Sequence, residues 1–211
     1  MILTPIPAER LPDTIRRFAE SLTDSARVVF ERIADIGAAD RAQGDEAVAH
    51  HQAAIALARK FGMGILPGSP SLDFCWNGQA LRCETEAYVL LHEIAHFQIA
   101  PPERRTMIDF GLGTGPETGK AAEAEQAATV FGVEREAEEA MSSLLGILWE
   151  VELGQPGLAS FLDQNWLEGA GRASAAVHFQ KTLASLQQIG LADLAGHPRL
   201  KVADYFLKSV L

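Results

Sequence analysis

Residues 90–100 read LLHEIAHFQIA, and His92-Glu93-Ile94-Ala95-His96 sets two imidazoles and a carboxylate within little more than one helical turn. Residues four apart on a helix emerge on the same face, with Cβ atoms about 5–6 Å apart, so both rings can reach one cation at about 2.0–2.1 Å. Glu93, next to the first ring, is placed to reach a water on that cation or to steady a ligand by hydrogen bond, and is the candidate catalytic residue. This charged trio interrupts a segment that is otherwise apolar, "YVLL" before it and "FQIA" after it. Burying it without a purpose would be expensive.

A catalytic centre of this kind needs a third protein ligand and an open position. The acidic stretch 133–140, VEREAEEA, is the place to look. Glu134 and Glu138 share one helix face, four residues apart, and Met141 and Leu145 continue that face, which is therefore expected to turn inward. Glu136 and Glu139 are expected on a solvated face. Glu134 is the expected third ligand and Glu138 the alternative, the unused one being free to hold a ligand histidine by hydrogen bond. Asp109 is another candidate for such support, or a partner for Arg105 four residues earlier. Two histidines and one glutamate do not select a metal. With Glu93 as general base the set fits a zinc peptidase. With two or three open positions it fits an iron site that activates oxygen.

The elements that must position these residues are mostly helical. Apolar residues recur at spacings of three and four over 8–61, 84–100, 133–153 and three stretches of 157–211. Pro101-Pro102 ends the motif helix. Asn77-Gly78 between two short runs predicts a β-hairpin with strands at 72–76 and 79–83. Gly and Pro in 62–71 mark a break, dividing an N-terminal helical region, 1–62, from a metal-binding catalytic domain, 63–211, the two packed as one compact unit. The glycine-rich run at 110–120 is not a phosphate-binding loop: Thr114 stands where its first glycine belongs, and Ala121 follows Lys120. His50 and His51 point about 100° apart on their helix and do not chelate together. His178 and His197 are lone histidines, read as structural.

Composition narrows the function classes. The 211 residues are 47% hydrophobic and 22% charged, as in a globular domain, with 18 Lys+Arg against 28 Asp+Glu and a net charge of −10. That balance argues against nucleic acid or an anionic membrane as partner. No apolar run is long enough to span a bilayer and no secretion signal is evident, so the expected location is the cytoplasm, with Cys75 and Cys83 as reduced thiols.

The stretch HEIAHFQIAPPERRTMIDFG resembles the elongation factor P hydroxylase family. It carries H-E-I-x-H, then Ile99-Ala100, Arg104-Arg105 and Asp109-Phe110-Gly111 at that family's spacing, followed by Phe131 with Val133-Glu134. Weaker likeness continues through 165–169, 179–183 and a final helix bearing Arg199, Phe206 and Leu207. Residues 1–71 and 148–157 have no counterpart. The resemblance implies a mononuclear non-haem iron centre of His92, His96 and Glu134, molecular oxygen as co-substrate, and hydroxylation of a modified lysine on elongation factor P, a related protein or a small amine. The expected fold is mainly α (α+β), a helical domain with a small β-hairpin sheet beside a zincin-like motif helix. Two rivals remain: a small zinc metallopeptidase with Glu93 as base, and a non-catalytic metal-stabilised protein, which would need a fourth protein ligand.

Overall fold

The computed structural model describes residues 6–35, 40–167 and 173–203. It is mainly helical, with α1 (Leu11–Glu20), α2 (Asp24–Asp35), α3 (Gly44–Lys60), α4 (Ala87–Ile99), α5 (Ala121–Gln126), α6 (Gly132–Glu152), α7 (Gly157–Asp163) and α8 (Ala173–Gln188). Local chemistry sets several helix ends. Asp45 and Glu46 lie in the first turn of α3 and Arg59 and Lys60 in its last, matching the helix dipole at both ends. The proline after Ala100 holds that residue extended (φ −57°, ψ 137°), which stops α4 one residue earlier.

Helix α4 is apolar on nearly all sides, and such a helix must be packed on nearly all sides. Leu90, Leu91, Ile94 and Ala95 are fully buried, and the helix is packed between α3 and α6. The close approach of α6 depends on Gly146: a Cβ there would lie 3.2 Å from the Cα of His92. A second focus of the core is aromatic. Phe18, Phe30, Phe161 and Phe179 are fully buried, with ring centroids 4.8 to 6.3 Å apart in edge-on or tilted pairs. Helices α1 and α2 thus share their core with α7 and α8, and one apolar cluster runs from Phe18 to Ala192.

The sheet differs from the expected hairpin. Strand β1 (Gly64–Leu66) pairs in parallel with β2 (Ala80–Arg82), Gly64 facing Ala80, to make a two-stranded sheet. The Asn77-Gly78 turn does form: the Asn77 side chain accepts from the N–H groups of Gln79 and Ala80, and Gly78 takes φ 90°. Its incoming arm contributes only one antiparallel bridge, Trp76 to Leu81. Pro70 at the head of a short 3-10 turn diverts residues 70–72 from strand geometry, and the break at 62–71 itself supplies the true partner strand. The expected final helix is also not seen where it can be judged. Residues 199–203 run without helix along α4, where Gln98 binds the carbonyls of Arg199 and Lys201. Phe206 and Leu207 lie outside the described residues, as do 168 and 169. No described helix is long and apolar enough to cross a membrane.

Candidate metal centre

The Nε2 atoms of His92 and His96 stand 3.0 Å apart. One oxygen, Oε2 of Glu139, lies 3.5 Å from the first and 3.4 Å from the second. Atoms so spaced lie on a circle of about 1.9 Å radius, so an ion slightly off their plane reaches all three at about 2.0–2.1 Å and keeps its far side open. These three residues are the one group among the described residues that could hold a metal ion.

The structure brings His92 and His96 together but does not bring Glu134 to them. Glu134 is exposed in the first turn of α6. Glu139, expected on the solvated face, takes the third position. The physical reason is helix rotation. The second half of α6 is buried all round, so Met141 and Leu145 do not mark the face that meets α4. Small residues mark it: three and seven positions after Glu139, Ser142 reaches His96 and Gly146 lies against the backbone of His92. Glu134 sits five residues before Glu139, about 140° around the helix.

The supporting contacts also differ from expectation. Ser142 Oγ, not a carboxylate, lies 2.9 Å from Nδ1 of His96, orienting that ring with Nε2 toward the shared centre. Glu138, 1% exposed, pairs with Arg104 at 2.5 Å rather than with a histidine. Arg104 also donates to the Phe110 carbonyl at 3.0 Å. Both oxygens of Asp109 are engaged, by the Trp76 N–H at 2.9 Å and the Thr118 hydroxyl at 2.7 Å. Arg105 donates to the carbonyls of Phe97 and Ala203, capping the end of α4. The residues sequence reasoning missed are thus Glu139 and Ser142. The signal that could have found them is the stripe Glu139, Ser142, Gly146.

Asp109 and Phe110 take left-handed backbone angles (φ 40° and 55°), each costing about 1–3 kcal/mol for a non-glycine residue. The turn drives Phe110 inward, stacked between Trp76 (5.5 Å) and the ring of His96 (5.8 Å). The Asp-Phe-Gly run therefore fixes a wall of the centre rather than a ligand.

Burial and mutual charge set the protonation states. Burial pulls the His92 imidazole below its ordinary value, against its hydrogen bond to Glu139. At His96 burial acts the same way, but the charge of Glu139 outweighs it and lifts the group to about 9. Burial opposes ionisation of Glu139, yet its histidine partners hold it below the usual carboxylate range. An imidazole held protonated and a carboxylate held ionised thus stand where a cation would sit. Burial, reinforced by the charges of Asp109 and Glu139, pushes Glu93 up to about 8, so it is a neutral acid at pH 7. Asp109 is raised by burial in spite of its two donors.

The centre opens on a cavity of about 210 Å³. Tyr88, Phe110 and Leu112 supply apolar wall, and Glu93, Asp109 and Glu117 join Glu139 as carboxyl groups. No lysine or arginine is among the described residues lining it. His178 stacks on Trp166 at 5.1 Å, and His197 bonds Glu152 at 2.8 Å; neither belongs to the three-ligand group. Compared with known proteins, the chain matches no family model, no curated protein and no solved structure.

Proposed function

We propose that His92, His96 and Glu139 hold one divalent ion and that the protein is an iron- and oxygen-dependent hydroxylase acting on an amine-bearing side chain. By the resemblance in 92–111, that side chain is a modified lysine of elongation factor P or of a related protein. The observation that carries the proposal is a three-ligand centre opening on a small cavity walled by carboxyl groups, with no lysine or arginine among the described lining residues. Such a cavity favours a cation, and its 210 Å³ suit one side chain or a small amine.

The donor set fits iron: imidazole nitrogen and carboxylate oxygen on one side of the ion, with no thiolate in the group. Iron bound there would supply oxygen activation for insertion into an unactivated C–H bond. The residues around it bind, shield and handle protons. Phe110, Leu112 and Tyr88 give the cavity its apolar wall. Glu93 stands on the cavity wall beside His92, where its carboxyl can exchange a proton with a basic oxygen in the cavity. Glu139 and Ser142 fix the two rings.

A zinc peptidase is less well supported. Among the described residues lining the cavity none lies in β1 or β2, so neither strand offers its edge there to a peptide backbone. A closed structural site would need a fourth ligand, and among the described residues the group has three. The test is metal analysis of protein purified without added metal, together with mass spectrometry of elongation factor P from cells with and without this gene. The expected results are bound iron and a gene-dependent gain of about 16 Da, one oxygen atom. Zinc retained through iron reconstitution would overturn the hydroxylase, and an unchanged elongation factor P mass would remove that substrate.

A further inference from the structure

A second cavity, of about 340 Å³, meets the metal centre from another side. It shares three wall residues with the first: His92, Glu139 and Gln164. The remaining walls differ. Where the first cavity presents Glu93, Asp109 and Glu117, the second presents Ala140, Ala175, Asn165, Trp166 and His178, and among the described residues lining it the only carboxylate is the ligand Glu139. The two openings therefore favour different visitors: cations in the first, small uncharged or anionic molecules in the second.

Gln164 stands on the shared wall, and its amide oxygen is engaged by a hydrogen bond. The Trp166 indole N–H, which can only donate, gives its proton to Ser143 Oγ at 2.8 Å. The Ser143 hydroxyl donates to the carbonyl oxygen of the Gln164 side chain. The Gln164 –NH2 group has no hydrogen-bond partner among the described residues, so a free donor remains on a residue that borders both cavities beside His92 and Glu139.

We propose that the second cavity is a separate entry to the metal for a small molecule bearing lone pairs, anionic or neutral and two or three heavy atoms long, and that the Gln164 amide is the donor that receives it. The proposal rests on the metal reading above. It gives the centre two-sided access, the organic substrate from the acidic cavity and the small ligand from the other.

Azide is the probe, with the full chain loaded with cobalt(II) and the visible spectrum of the cobalt as readout. Gln164→Leu should weaken azide binding about 10- to 100-fold, as expected for loss of one hydrogen bond to a charged group. Ala175→Phe, which fills the second cavity, should slow azide binding at least about tenfold, while Gly115→Phe, which fills the first, should change it by less than about twofold. The reverse pattern, or indifference to both Gln164→Leu and Ala175→Phe, overturns the proposal. Cobalt content and the azide-free spectrum of each variant show whether the centre is intact; Gln164→Leu, which needs no cavity filling, carries the test if Ala175→Phe fails to fold. A wild-type chain that takes up no cobalt refutes the metal centre itself and this entry with it. Bound cobalt with azide arriving through the acidic cavity refutes the entry alone.

Discussion

Replacing Glu139 by alanine tests the ligand set most directly. Its Oε2 lies within 3.5 Å of both histidine nitrogens, so the variant removes one of three ligands. Structural zinc sites are worth roughly 10–16 kcal/mol over four ligands, about 3–4 kcal/mol each. At 1.4 kcal/mol per factor of ten, the loss should be about 100- to 1,000-fold in Kd. Competition against a chromophoric chelator, with iron(II) under nitrogen and with zinc in parallel, measures that range. Glu134→Ala is the matched control: the residue is exposed in the same helix, and its removal should leave both affinity and stability nearly unchanged. Glu138→Ala separates the remaining possibility. It strands Arg104, its 2.5 Å partner, and should lower stability first. If Glu134→Ala abolishes binding while Glu139→Ala does not, the packing of α6 against α4 described above is wrong.

Four further outcomes follow from the same geometry. Ser142→Ala should weaken metal binding about 10- to 100-fold, since it frees the ring of His96, and an unchanged Kd would show that the serine orients nothing. Arg104→Met should cost about 3–5 kcal/mol in chemical denaturation by leaving Glu138 buried and unpaired; a loss below about 1 kcal/mol would refute the role of that pair. Gly146→Val should force α6 away from His92, whose Cα is 3.2 Å from the added Cβ, and reduce both stability and metal affinity; both would stay near wild type if the helices had room to spare. Glu150, inside the core beside Ser160, is raised by burial to about 7. A carboxyl whose folded value lies above its unfolded one holds more protons folded than unfolded between the two, so its contribution to stability falls as pH rises from about 4.5 to 7 and is flat above. Glu150→Gln should therefore gain stability relative to wild type across that window, by up to about 3 kcal/mol; a constant difference from pH 5 to 8 would refute the shift.

Features that depend on neighbours along one chain were legible in the order of the residues. Helical spacing placed His92 and His96 on one face, the apolar run around them required a buried helix, and Pro101 fixed where it stops. The Asn77-Gly78 turn was legible for the same reason, because a turn is a local event. Tertiary structure decided what depends on how elements meet. The partner of β2 came from residues 64–66, which carry three residues of strand among glycines and prolines and so give no periodicity to read. The role of Asp109 came from a left-handed backbone that its sequence does not announce. Most of all, the choice of Glu139 over Glu134 rested on the rotation of α6 about its own axis. The second half of α6, buried on every side, does not encode that angle in its hydrophobic pattern. Close packing against α4 encodes it, through the small residues Ser142 and Gly146 that let the two backbones approach.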